Sequence, residues 1–429
     1  MTGADPAAEG WQSAVTEMWP QRLAKSDAGA VKPSLYNLSL ILQGAEEFRG
    51  LMRMDRFAQR IVKTRPTPWH SSAREWTPTD STLLRSWLAQ KRLGEYSKLD
   101  IKDAVVAAAE GEGFHPVQDY LRGLVWDGKP RVSLWLGAYL GASLGRGGSL
   151  RDYVDAVGRM FLIGAVKRVM EPGCKFDSVL VLEGLQSLGK STALSILGGD
   201  WHRDTPFQLG DKDALQTIQG VWIYELAELE GFTSVDASKA KAFFSSPVDR
   251  FRPSYEPAIV EFARQCVFAG TTNQIADYLR DSTGNRRYWP IYCRKVDARA
   301  LAEDRDQLWA EAFWMWSAGT PCFVGRDDPL WPLFESEQLL RTTTDPWETA
   351  ISQYIDGCPP HERDRFTSLD ILTKALLVDV NRLDQRGMSM RVGRIMRDLG
   401  YVKRQATTVE ERRVARFFYV RHDTPAPEA

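Results

Sequence analysis

Apolar residues along this chain change their spacing several times, and each change predicts an element. At 81–93 and 98–109 they recur with helical period, interrupted upstream by the turn-rich TRPTPW at 64–69, which predicts a mainly helical N-terminal domain over 31–149. A longer helical pattern over 151–169 breaks at Pro172-Gly173. There the pattern switches to continuous apolar runs at 178–183, 221–225 and 266–269, separated by helical segments such as 238–244. That alternation predicts a parallel α/β sheet in a core domain over 150–320. A proline-bearing linker is expected at 321–344. The remainder, 345–422, reads as helices at 346–354, 368–377 and 389–399 and then strands at 401–405 and 415–420, the order of a winged-helix-like domain. Residues 1–30 and the tail at 423–429 are small and polar, so both are expected to be disordered.

Composition narrows the class. A hydrophobic content of 43 % with 15 Trp and 18 Phe in 429 residues supports a sizeable core, and at about 150 residues per domain two or three domains are expected. No apolar run approaches the roughly 18 residues that span a bilayer, and residues 1–10 lack a basic-then-apolar leader, so a cytoplasmic address with no membrane partner is expected. The five cysteines (174, 266, 293, 322 and 358) are scattered and never spaced as C-x-x-C, which favours reduced packing residues over disulfides or a zinc site. With no H-E-x-x-H among the histidines, the metal to expect is Mg²⁺.

The most specific chemistry is GLQSLGKS at 184–191, a complete G-x-x-x-x-G-K-[ST] phosphate-binding pattern between the apolar run 178–183 and a helix-compatible stretch from Thr192 onward. In such a loop the backbone N–H groups of Gly184, Leu185, Gln186, Ser187, Leu188 and Gly189, together with the start of the following helix at Thr192, cradle phosphates. Lys190 reaches the β and γ oxygens and Ser191 ligates Mg²⁺, which makes ATP the expected nucleotide. Hydrolysis also needs a metal-side acid, a group that activates water, a γ-phosphate reader and a cation for the developing charge. Glu225, at the end of the run VWIYE, is the candidate metal-side acid, and Glu228 the candidate activator of water, with the two roles open to exchange. Asn273, closing CVFAGTTN, is the candidate reader. Arg286 and Arg287, paired before an apolar YWPI, supply a candidate arginine finger, with a salt-bridge role as the alternative.

Net charge is −1, from 55 basic and 56 acidic residues, so any nucleic-acid binding must be local. Two segments qualify. Residues 239–255 interleave cations with aromatics, among them Lys241, Arg250, Arg252 and Tyr255, which suits single-strand binding. Residues 386–421 hold ten Lys/Arg against three acids, net +7, with Arg391, Arg394 and Arg397 at i, i+3, i+6 spacing on one helix face. Phosphate contact is the functional reading of that face, and a solvated or docking face the structural one.

The order of these motifs resembles the virulence-associated protein E family: the phosphate loop, ELAE at 225–228, VDRFRPSY at 248–255, GTTN at 270–273 and TGNRRYWP at 283–290. HPVQDYLRGLVWDG at 115–128 and PGCKFD at 172–177 add to the resemblance. It implies a phage or mobile-element P-loop ATPase related to superfamily 3 helicases, with an AAA+-type core, a hexameric homo-oligomeric ring and work in DNA replication. It also implies that Lys190, Ser191, Glu225, Glu228, Asn273 and one of Arg286 and Arg287 occupy the ATPase positions, and that 241–255 is a pore hairpin gripping single-stranded DNA. Duplex contact would fall to the C-terminal domain. No primase motif is present, so priming would need a separate protein. The expectation is an ATP-dependent DNA translocase or helicase. The rival is a DNA-binding initiator or loader that uses ATP as an assembly switch without unwinding.

Overall fold

The computed structural model describes residues 19–71, 73–142, 148–206, 212–227, 234–252, 259–275, 278–279, 285–342, 345–359, 363, 366–379, 387–406 and 416–421. They divide into two compact units. One comprises residues 1–229, 239–273 and 287–334, and the other 230–238, 274–286 and 335–429.

The first unit begins with a helical layer. Helices Pro78–Gln90 and Lys98–Gly111 each start in a capping box, Thr77 with Asp80 and Ser97 with Asp100, so their first backbone N–H groups are satisfied where the periodicity begins. Together with helix Leu35–Gly44 they close a core around Leu38, Ile41, Leu84, Leu88 and Ile101. Helical patterning did not announce the hairpin of β1 (Met52–Asp55) and β2 (Arg60–Lys63) laid against it. Of residues 1–30, expected to be disordered, 1–18 lie outside the described residues. The rest is pinned: Lys25 bridges to Val31, and the amide of Asn37 bonds the backbone at Ala24 and Lys32.

The second layer of this unit is a five-stranded sheet of β3 (Val179–Glu183), β4 (His202–Arg203), β5 (Ile223–Ala227), β8 (Val267–Thr272) and β9 (Tyr288–Tyr292). All neighbours are parallel and the spatial order is β4-β5-β8-β3-β9. Burial explains the continuous apolar runs, because every residue of β3 and β8 is buried, as strands covered on both faces require. Helices Gly148–Met170 and Ala298–Ser317 pack into the same core. Three of its tryptophans satisfy their ring N–H groups as they bury: Trp222 donates to the carbonyl of Ala165 (2.8 Å), Trp309 to that of Leu197 (3.0 Å) and Trp135 to that of Gly158 (3.1 Å). Val117, Leu121, Val132 and Leu136 also belong to this core, so the stretch 117–142 packs with the sheet. Between β5 and β8 the chain forms an antiparallel hairpin, β6 (Val248–Phe251) with β7 (Val260–Ala263), pairing Arg250 with Glu261.

The second unit has helix Pro346–Gly357, then helix Ser368–Asp370 continued by a wider π turn at Ile371–Ala375, then helix Gly387–Asp398. An antiparallel pair follows, β10 (Tyr401–Ala406) with β11 (Arg416–Arg421). Ile351, Ile355, Ile371, Val392, Ile395 and Tyr419 form its core. The three helices and the hairpin stand in the order read from the apolar spacing, with ends shifted by a few residues. Helix Trp331–Leu339 occupies part of the stretch expected to be a linker. Among the described residues no helix is long and apolar enough to cross a membrane.

Candidate functional site

Topology points to one end of the sheet. The first strand, β3, lies between β8 and β9, and the chain leaves it toward β4 at one edge but returns on its other side as β9. Such a reversal leaves a crevice outside the carboxyl ends of the strands, where ligands of α/β sheets bind. The glycine-rich loop fills this position, running from β3 into helix Lys190–Gly198.

The loop's shape depends on glycine at two places. Gly184 has φ of 144° and Gly189 of 94°, both in the region that L side chains avoid. At Gly184 a Cβ would lie 2.7 Å from the carbonyl oxygen of Cys293, so the backbone passes where a side chain cannot. Gly189 caps the helix without any side-chain hydrogen bond, leaving its first N–H groups available to an anion. Leu185, Gln186 and Ser187 are exposed along the rim, Leu188 is half-buried, and Ser191 and Thr192 are exposed at the helix start.

Lys190 is buried, and its Nζ donates to the carbonyls of Gly184 (2.7 Å) and Leu185 (2.8 Å) and to Oδ1 of Asn273 (3.2 Å). The loop lysine and the candidate γ-phosphate reader, 83 positions apart, therefore meet at the ends of adjacent strands β3 and β8. Glu225, also buried, accepts three hydrogen bonds: Ser191 Oγ to Oε1 (2.6 Å), Thr271 Oγ1 to Oε1 (2.9 Å) and His202 Nε2 to Oε2 (3.1 Å). Burial alone would raise its pKa. The bonds from His202, Ser191 and Thr271 together outweigh that and hold the carboxyl below its ordinary value, so it stays ionised.

His202 and Thr271 were not among the residues singled out from the sequence. Strand register contained the signal: Glu225 pairs with Ala269 and Ile223 with His202, so Thr271 and His202 are the diagonal same-face neighbours of Glu225 on β8 and β4. A two-residue edge strand has no sequence pattern of its own, so that register was illegible beforehand.

The residues fit the expected ligands. A hydroxyl beside an ionised carboxylate is the oxygen set with which Mg²⁺ is held when substrate phosphates complete its shell. Among the described residues no group of three or more His, Cys, Asp or Glu stands ready for another metal. Cys266, Cys293, Cys322 and Cys358 are buried free thiols and Cys174 a half-buried one; burial pushes Cys266 up to about 11 and Cys293 up to about 12.

The remaining candidates separate. Glu228 and Tyr255 lie outside the described residues. Arg287 is buried, ion-paired to Asp177 (3.1 Å) and bonded to Ser245 Oγ (3.1 and 2.9 Å), whereas Arg286 is exposed. On the hairpin, Arg250 and Arg252 are exposed, with Arg250 facing Glu261 at 3.4 Å; Lys241 is half-buried on helix Ser234–Ser245. In the second unit Arg391 and Arg394 both bond Asp345, and Arg397 bonds the carbonyl of Gly393 in its own helix.

The model of the virulence-associated protein E-like domain matches residues 121–340, half of the chain. The chain belongs to that family. The match takes in the loop, Glu225, Asn273, the hairpin and both candidate finger arginines, and leaves most of the helical layer and the C-terminal helices and hairpin outside it. Two solved apo A-form structures of the NrS-1 C-terminal region align with this family member over 86 % of its length and 96 % of theirs. Their TM-scores are 0.45 and 0.41, at 10 % and 12 % identity. No curated protein matches it.

Proposed function

We propose that this chain is an ATP-dependent DNA translocase, helicase-like in mechanism, serving replication of a phage or mobile element and acting as an oligomeric ring, with a hexamer the expected form. The observation that carries the reading is the convergence of Lys190, Ser191, Glu225 and Asn273 at the carboxyl ends of β3, β5 and β8. The AAA+-type assignment of the core has the same support, with the loop strand at the switch point of a parallel five-stranded sheet. A winged-helix-like role for the second unit is supported by its three helices and hairpin.

In this reading Lys190 gives up its contacts to the Gly184 and Leu185 carbonyls for the β and γ oxygens, and the bare helix start holds the phosphates. Ser191 and Glu225 would hold Mg²⁺, which would supply positive charge to offset that of the phosphates. Asn273, freed from Lys190, orients the attacking water or the γ-phosphate. Of the two arginines, Arg286 is the one exposed and so suited to enter a neighbouring subunit's site. The hairpin presents Arg250 and Arg252 to a single strand.

ATP hydrolysis by the purified chain, with and without single-stranded DNA and alongside a forked duplex, tests this. DNA-stimulated turnover and unwinding, both abolished by Lys190→Ala, are expected. Turnover indifferent to DNA, with the fork intact, would sink the translocase and favour an initiator or loader that uses ATP as an assembly switch.

A further inference from the structure

Glu225 is gripped from the strands on both sides, and the grip from β4 belongs to none of the motifs above. We propose that His202 is a positioning residue for the magnesium-side carboxylate: its Nε2–H fixes Oε2 of Glu225 so that Oε1 stays turned toward Ser191. This rests on the ATPase reading of the crevice.

The geometry leaves the carboxylate one arrangement. Ser191 and Thr271 both donate to Oε1, and His202 alone among the described residues donates to Oε2. An ionised carboxylate only accepts, so Nε2 carries the hydrogen. With Glu225 1 % exposed, an unpartnered Oε2 would bear a desolvation cost that water could not relieve, and the terminal torsion of a glutamate is broad enough to swing the group away.

The backbone is built to bring the imidazole there. Strand β4 is two residues long, pairing His202 with Ile223 and Arg203 with Tyr224, and the amide of Trp222 donates to the carbonyl of Trp201 (2.8 Å). Gly198, at the end of the helix that follows the phosphate loop, lies against it: a Cβ there would sit 2.8 Å from the Cβ of His202. Helix, edge strand and acid strand thus meet at one hydrogen bond. Outer hydrogen bonds of this kind set the orientation of a metal-holding group, and losing one typically weakens metal binding by 10- to 100-fold.

The test uses the full chain and a fluorescent, slowly hydrolysed ATP analogue, with affinity measured in EDTA and across a magnesium titration for wild type, H202F and H202Q. H202F, which fills the space without a donor, is expected to match wild type in EDTA. It should need on the order of ten-fold more Mg²⁺ to reach half of the magnesium-dependent gain in affinity. H202Q keeps an N–H donor and should recover most of that loss. An unshifted magnesium midpoint in H202F would overturn the proposal, and so would H202Q as impaired as H202F, or an equal loss with and without magnesium, which marks a merely structural residue. If H202F does not fold by circular dichroism, H202L serves as the donor-free variant. Failure of the ATPase reading itself shows separately, as wild type that does not bind the analogue or binds it without regard to magnesium, and it overturns both.

Discussion

At the base of hairpin β6–β7 an arginine and an acid are buried together, and the arginines farther along the strand are exposed. In helix Gly387–Asp398 the arginines turn back onto an acid of their own unit. In the first case Arg264 and Asp249 are about 1 % and 2 % exposed, with Arg264 also donating to the carbonyl of Phe243 and lying over its ring. Because β6 alternates strictly, Asp249 and Phe251 face inward while Arg250 faces out, and exposed Arg252 follows the strand. In the second case Arg391 holds Asp345 through Nε and Nη2 (2.9 and 2.7 Å) and lies 4.1 Å from the centre of the Trp347 ring, while Arg394 adds a bond of 3.2 Å. Asp345 also caps helix Pro346–Gly357, accepting from the backbone of Trp347. The difference teaches that the burial of the acid decides how a cation is held: Asp249 is buried with its arginine, Arg250 shares only an exposed pair with Glu261, and Arg391 and Arg394 together hold one mostly buried carboxylate.

The largest expected effect tests the buried pair. Asp249→Ala leaves the Arg264 guanidinium buried without its counter-charge, and the expected loss is about 3–5 kcal/mol. Urea unfolding measures it. A loss under about 1 kcal/mol would mean that the hairpin base relaxes and lets water in, and the contrast with the helix would collapse.

Next comes the exposed face of the hairpin. Replacing Arg250 and Arg252 together by Ala should weaken single-stranded DNA binding and flatten the plot of log affinity against log salt by about 1.4, at roughly 0.7 per phosphate contact on a single strand. Fluorescence anisotropy at several salt concentrations reads the slope. If the slope is unchanged there and instead flattens on replacing Arg391 and Arg394, the two regions have exchanged roles.

Periodicity and motif spacing made the sheet legible. Strands β3, β5, β8 and β9 are continuous apolar runs because both their faces are covered, and the helix–helix–helix–hairpin order of the second unit follows from its apolar spacing. The loop, Glu225 and Asn273 were readable as candidates because each follows an apolar run, and the structure brings them together at the strand ends. Two kinds of feature were not. His202 and Thr271 reach Glu225 through strand register, which depends on pairing between segments more than 20 positions apart. The fates of the arginines depend on partners that spacing cannot reveal: Asp177 lies 110 residues before Arg287, and Asp345 46 residues before Arg391. A cation's neighbours in the sequence say where it sits on a helix or strand, and a distant acid decides whether it is engaged.

The smallest effect isolates that distant acid. Asn is as good a helix cap as Asp, so Asp345→Asn preserves the cap and removes mainly the attraction to Arg391 and Arg394. Both arginines are about half exposed, so the expected cost near neutral pH is about 1 kcal/mol or less. Its dependence on pH identifies it. The bond from Arg391 is the main influence on Asp345, and burial opposes it; with Arg394 and the Trp347 amide adding to the first, the folded carboxyl is held below its ordinary value. A carboxyl depressed in the folded state contributes stability that is fully present above its unfolded pKa, about 3.9, and lost as pH falls toward the folded value. The stability difference between wild type and D345N should therefore be constant above about pH 5 and shrink below about pH 4. The arginines, once without their acid, become available to phosphate, so D345N should also bind DNA more tightly at low salt. A variant that matches wild type in stability at every pH, with DNA binding unchanged, would mean that Asp345 serves the helix cap alone and that the arginine face was never neutralised at home.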